Sequence, residues 1–297
     1  MAEEIENAGD SSKITRDYLD SLLVEMRHID SVMPSTKLEL YGHSFETPVM
    51  MAALSHLDRV RPNGMAEAAK GMAAAGGVNW AGMGDEAELE AICATGAKTI
   101  KIIKPYEDNR VIFKKIEHAE KCGCIAVGID IDHQFGSKSK WWSVREFQMR
   151  PKSLEEIKSF VKAASLPFVI KGVLSEQDTY KCLSAGVRGI VVSHHHGMMD
   201  YALPPLKILP RIAKIVNREI PIFADCCISR GMDVFKAIAL GATACSVGRA
   251  FMGPLGEKGA QGVSETVEAI THELAWAMAS TCSPDITRID PKLIWEK

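Results

Sequence analysis

The chain has no apolar run near the roughly 18 residues that a membrane-spanning helix needs, so no membrane partner is expected. It also lacks an excess of positive charge. Lys and Arg number 35 against 38 Asp and Glu, for a net charge of −3, whereas a nucleic-acid or anionic-membrane surface needs the opposite sign. The opening residues, MAEEIENAGDSS, lack the basic start and apolar stretch of a secretory signal. They read as a frayed tail on a cytoplasmic protein. The eight cysteines show no zinc-ribbon spacing, because Cys122-Gly-Cys124 and the adjacent Cys226-Cys227 are too close together. Free thiols and no metal are expected. A Walker-A pattern and a G-x-G-x-x-G opening a helix after the first strand are both missing, which excludes a dinucleotide domain.

What the chain does have is ordinary globular composition, with 46% hydrophobic and 25% charged residues over 297 positions. A single (β/α)8 barrel takes about 250 residues. From residue 48 onward, short apolar runs alternate with amphipathic segments. Strands are expected at 49–54, 77–81, 99–103, 125–130, 168–173, 189–193, 222–225 and 244–248. Most are continuously apolar, as parallel strands buried on both faces must be. Helices are expected at 64–75, 85–95, 153–164, 175–185, 231–240 and 264–280, several of them bounded by a capping Ser or a terminal Gly. Strand–helix alternation with short links predicts an α/β fold with a closed (β/α)8 TIM barrel over 38–297. Residues 1–37 form an N-terminal tail with a short helical segment, and the C-terminal helix closes the barrel.

Chemistry in such barrels sits where strands end. Asp130, Asp132 and His133 follow the fourth strand, and Lys171 ends the fifth. Ser193, His194, His195 and His196 end the sixth, Asp225 the seventh, and Gly248-Arg249 the eighth. The segment from Asp225 through Ser229 and Arg230 runs into a helix. A helix N-terminus favours an anion, glycine lets backbone approach it, and arginine gives a charged fork. These loops are candidates for a phosphate.

Four motifs in order then carry a resemblance: Phe168-Val-Ile-Lys171-Gly-Val173, Gly189-Ile-Val-Val-Ser193-His-His195, Asp225 through Arg230 to Gly241, and Val247-Gly-Arg249. Over roughly residues 38 to 282 the chain resembles the FMN-dependent 2-hydroxy-acid oxidase and dehydrogenase family, which includes glycolate and lactate oxidases. The resemblance implies that His195 is the catalytic base, oriented by Asp130, and that Lys171 stabilises the reduced flavin. It implies FMN contacts from Ala52, Ala53, Asn79, Lys171, Ser193, Asp225, Ser229, Arg230, Gly248 and Arg249. It also implies a homo-oligomer.

The departures fall on the substrate side. The family's Arg after the catalytic His is replaced by Gly197, Met198 and Met199. Its Tyr after strand three falls on Lys104, with Tyr106 nearby, and only Tyr18 is available for its early Tyr loop. A bidentate Arg–carboxylate pair is not replaceable by Met. A retained flavin with a changed substrate is therefore expected. The reading is reduction of an activated C=C bond, driven by NADH or NADPH, in an apolar or aromatic small molecule. Lys104, Tyr106, Trp141, Trp142, His194, Met198 and Met199 would line its pocket, and His195 or His133 would give the proton. The alternative is oxidation of a 2-hydroxy acid to a 2-oxo acid.

Overall fold

The computed structural model describes residues 9–134, 136–137, 140–141, 143–144 and 146–297, without the side chains of 136–137, 140–141 and 143. Eight parallel strands form its centre: β1 Val49–Met51, β2 Asn79–Ala81, β3 Thr99–Ile103, β4 Ala126–Asp130, β5 Phe168–Val173, β6 Gly189–Val192, β7 Ile222–Ala224 and β8 Ala244–Val247. Each strand pairs with its sequence neighbours. β8 pairs with β1, and a parallel bridge between Met50 and Val78 closes the ring between β1 and β2.

A first helix, α1 (Ser11–Ser21), precedes the barrel. The outer layer comprises α2 Gly64–Ala74, α3 Glu86–Ala94, α4 Asn109–Lys121, α5 Leu154–Ala163, α6 Glu176–Ser184, α7 Pro205–Val216 and α8 Gly231–Ala239. After β8 come α9 Met252–Lys258 and α10 Ala260–Ala279. Local chemistry sets the starts. Ser153 and Glu156 form a reciprocal capping box at α5, and Asp85 and Ser175 cap α3 and α6. α7 opens on Pro205 and buries Leu206, Leu209, Ile212 and Val216 along one stripe, although Pro210 lies inside it.

Side chains alternate inward and outward along each strand. Trp80 points inward, because its ring meets Phe223 of β7 edge-on at 5.2 Å and its Nε1–H faces the Met50 sulfur at 3.4 Å. These large side chains make the barrel a filled core rather than a pore. Its N-terminal end is plugged by a hairpin of Leu38–Leu40 and His43–Phe45, whose Tyr41 hydroxyl donates to Arg188 O at 2.9 Å.

The N-terminal segment is not frayed from residue 9 onward. α1 packs across the loops after β6 and β7, and Leu22–Val24 pairs antiparallel with Ile294–Glu296. The first eight residues lie outside the described ones.

Candidate active site

Strand register brings the site together. Lys171 lies level with Asp130 across β5 and β4, and Ile103 with Ile129 across β3 and β4, so Lys104 ends beside Asp130. Val192 lies level with Ala224, which sets Ser193 beside Asp225. By alternation, Lys104, Asp130, Lys171 and Asp225 all point into the C-terminal mouth of the barrel.

The result is a cluster of buried charge. Lys104 Nζ donates to Asp130 Oδ2 at 2.5 Å. Lys171 Nζ lies 3.6 Å from Asp225 Oδ2, 3.9 Å from Asp132 Oδ2 and 3.2 Å from His195 Nδ1. His195 Nδ1 lies 2.7 Å from Asp132 Oδ1 and 3.3 Å from Asp130 Oδ1. The His133 ring stacks on His195 at 4.1 Å. Ser193 Oγ donates to Asp225 Oδ2 at 3.1 Å and accepts the backbone N–H of His195 at 3.0 Å.

Opposing effects set the protonation of these groups. Burial alone would raise Asp130, but Lys104, with His195 and Lys171, holds it well below the ordinary carboxylate range. For Asp132, burial together with the Asp130 charge outweighs Lys171 and His195 and pushes it up to about 6. Burial would lower Lys171, yet Asp132, Asp130 and Asp225 raise it, so it stays an ammonium. His195 is raised because Asp130 and Asp132 outweigh its burial and the Lys171 charge. Burial and then the Lys104 charge push His133 down to about 3. His133 is therefore neutral at working pH, which removes it as an imidazolium donor. Asp130, Asp132 and His195 offer possible ligand atoms within 4.8 Å of one another. The Lys104 and Lys171 ammoniums already hold those carboxylates, however, and would repel a metal ion.

The three consecutive histidines point three ways. His195, His196 and Gly197 have φ of 45°, 61° and 81°, a left-handed turn that separates their side chains. His195 enters the cluster. His194 is enclosed instead: its Nδ1 accepts from Gly197 N–H at 2.9 Å, so its Nε2–H faces Thr15 Oγ1 of α1 at 2.7 Å. It fastens α1 to the β6 loop and does not line a pocket. His196 Nδ1 meets the exposed Arg249 guanidinium at 2.6 Å and Ser12 Oγ at 3.2 Å.

Several expected contacts fall elsewhere. Asn79 neighbours the inward Trp80, so it faces outward, where its amide donates to Thr99 Oγ1 at 3.2 Å. It is buried behind the barrel wall, away from the mouth. Tyr106 packs edge-on against Phe147 at 5.3 Å, with Lys115 of α4 over its ring, outside the cluster. Tyr18 donates to Glu296 at 3.0 Å, at the C-terminal strand. Ser229 donates through N–H and Oγ to Asp233, at 3.0 and 3.3 Å, and Gly231 N–H donates to Glu273 at 2.7 Å. The N-terminal amides of α8 are thus capped from within. Arg230 reaches Asp20 and Asp233. Ser229 thus spends its donors on Asp233, whereas Arg230 has a 53% exposed side chain with only Nη2 hydrogen-bonded among the described residues, so its guanidinium keeps donors for an anion. Met199 is exposed and Met198 half-buried on the β6 loop. Trp142 and the Trp141 side chain lie outside the described residues. Asp132, which the sequence places after the fourth strand without a role, joins the cluster. Its signal was the Asp130-x-Asp132 spacing, which puts both carboxylates on one face of an extended segment.

The remaining residues fit FMN. Lys171 and Asp225 supply a cation and an acceptor at the mouth, and Arg249 supplies an exposed cation for a phosphate. Ala52 and Ala53 give β1 a small-residue end, and Gly248 brings the β8 backbone so close that an added Cβ would lie 3.4 Å from Ala52 Cβ. Among the described residues, Asp130 Oδ1, Asp132 Oδ2 and His133 Nδ1 are buried without hydrogen-bond partners. Unpaired acceptors like these suit a site completed by a ligand.

Comparison with known proteins agrees with that fit. The family model described as FMN-dependent dehydrogenase matches residues 3–157 and 143–296. A peroxisomal (S)-2-hydroxyacid oxidase of Arabidopsis thaliana is 28% identical over 90% of this chain and 82% of its own length. An L-lactate oxidase of Lactobacillus jensenii is 28% identical over 84% of this chain and 68% of its own. A crystal structure of mandelate oxidase superposes with a TM-score of 0.86 at 25% identity, covering 94% of this chain and 88% of that one. These matches overturn the expectation of nicotinamide-driven C=C reduction, and NADH or NADPH is not supported as the electron donor. That expectation assumed that a cation for a substrate carboxylate must follow His195. The structure places a buried cation, Lys104, at the end of β3, paired with Asp130. An FMN-binding (β/α)8 oxidoreductase, the chain belongs to the FMN-dependent dehydrogenase family.

Proposed function

We infer that the protein oxidises a 2-hydroxy acid to the 2-oxo acid. The observation that carries this reading is His195, held at the barrel mouth with Nδ1 against carboxylates and beside the Lys171 ammonium. An Nδ1–H engaged by a carboxylate leaves Nε2 with a free lone pair. Nε2 then accepts the proton that leaves the substrate hydroxyl. FMN, when bound, would supply the acceptor for the α-hydrogen together with the two electrons, and Lys171 gives a fixed positive charge where negative charge develops. Lys104 keeps two ammonium hydrogens after its bond to Asp130 and takes the substrate carboxylate in place of the absent arginine.

The relatives named above are oxidases, which favours oxygen as the final acceptor here. The test is product analysis with glycolate, lactate and mandelate in air. A 2-oxo acid and hydrogen peroxide formed in equal amounts are expected with at least one of them. Neither product from any of the three, using FMN-loaded protein, would refute the reading.

A further inference from the structure

We propose that Asp132 is the positioning residue for His195, taking its Nδ1 hydrogen while Asp130 is diverted to Lys104. The proposal deepens the reading of His195 as proton acceptor and rests on it.

The geometry is specific. An imidazole Nδ1 carries one hydrogen. Asp132 Oδ1 lies 2.7 Å from it, and Asp130 Oδ1 lies 3.3 Å away without forming a hydrogen bond. The other Asp130 oxygen is held by Lys104 at 2.5 Å, so that carboxylate is pulled toward β3. Asp132 is the side chain left to receive the hydrogen. Space has been made for it: Gly172 sits in a left-handed conformation at φ 99°, and a Cβ there would lie 2.6 Å from the Asp132 carboxyl carbon. The β5 register shifts at this point, between Lys171 and Val173. The His133 ring packs on His195 with centroids 4.1 Å apart and planes tilted by 35°. Lys171 is a donor too, so its 3.2 Å approach to Nδ1 is tolerated only because Asp132 and Asp225 lie beside it.

Charge facing His195 comes from Lys104 on β3, Asp130, Asp132 and His133 on β4 and its loop, Lys171 on β5, and Asp225 after β7. Asp130 is ionised throughout the working range. Asp132, pushed up to about 6, and His195, raised above its ordinary value by Asp130 and Asp132, titrate together rather than independently. His195 must be neutral to accept a proton, so activity falls as the pH drops through the range of that pair. Removing the Asp132 charge lowers the His195 value and moves the acid limb to lower pH by about one unit. It also removes the acceptor that selects the tautomer, which slows proton transfer about a hundredfold.

The test is nitrogen NMR of histidine-labelled, FMN-loaded protein, with His195 assigned by His195→Gln. In the unsubstituted protein above the titration, Nδ1 is expected to show the protonated, pyrrole-type shift and Nε2 the pyridine-type shift. In Asp132→Asn, which keeps size and shape, the His195 midpoint should fall by about one unit and the acid limb of kcat/KM should follow it. A reversed tautomer in the unsubstituted protein, or an unmoved midpoint in Asp132→Asn, overturns the proposal. The NMR arms report on His195 whether or not a 2-hydroxy acid is turned over, so failure of the substrate reading is seen separately.

Discussion

Replacing Lys104 with Met removes one partner of a buried ion pair and leaves the other in place. The Lys104 and Asp130 side chains are 10% and 2% exposed, and the bond between them is 2.5 Å long. Removing one member of such a pair costs roughly 3–5 kcal/mol, because a buried charge loses its partner. His195 and Lys171 still face Asp130, so the lower end, about 3 kcal/mol, is expected. In a chain of this size that lowers Tm by roughly 6–9 °C, at about 2–3 °C per kcal/mol. The pH dependence follows from the sign. Asp130 is held far below its unfolded value of about 3.9, so its stabilising effect is complete above that pH and is lost as the pH falls through its folded value. In Lys104→Met, burial raises Asp130 instead, and the variant gains stability as the pH falls through that raised value. The gap between the two proteins should therefore close at acid pH. Adding Asp130→Asn removes the orphaned charge and should restore about half of the loss. Differential scanning calorimetry of the three proteins at pH 7 and pH 4 reads all of this. A Tm for Lys104→Met within about 1 °C of the parent at pH 7 would refute the reasoning.

Arg16 of α1 holds both carboxylate oxygens of fully buried Asp233, at 3.0 and 2.9 Å. Arg16→Ala should cost about 2 kcal/mol in urea unfolding, the full penalty being softened by Arg230 3.6 Å away. Hydrogen exchange in α1 should rise, and unchanged exchange there would contradict the clamp. Arg249 is exposed and touches His196 rather than the core. Arg249→Ala should leave Tm within about 1 °C but weaken FMN binding at least about tenfold, for a lost charge-assisted contact to phosphate. Flavin fluorescence quenching measures this, and unchanged affinity would move the phosphate site elsewhere.

The barrel was legible because its strands are continuous apolar runs. The expected strands at 99–103 and 168–173 coincide with β3 and β5, and the other six are present with trimmed ends. α7 is not among the expected helices; it carries Pro210 inside it, yet Pro205 starts it and the stripe from Leu206 to Val216 sustains it. The hairpin at the barrel's N-terminal end was not foreseen, because three-residue strands carry almost no periodicity. In the site, residue identity identified Lys171, His195 and Asp225 as members of the cluster. It did not give Asn79 its outward direction, which depends on which face Trp80 takes. Nor did it show that Lys104 meets Asp130, which follows only from the register of β3 against β4. The Ser229 and Gly231 amides at the start of α8 read as available for phosphate, but Asp233 and Glu273 accept from them in the fold.

The central claim is that this barrel takes its electrons from a 2-hydroxy acid through a base at His195. Anaerobic stopped-flow mixing of the FMN-loaded protein with glycolate, lactate, mandelate, NADH and NADPH tests it most directly. Rapid bleaching of the flavin band by at least one hydroxy acid is expected, with that bleaching slowed about a hundredfold in His195→Gln. Bleaching by a nicotinamide and by none of the hydroxy acids, or bleaching by a hydroxy acid that His195→Gln leaves unchanged, would contradict the account.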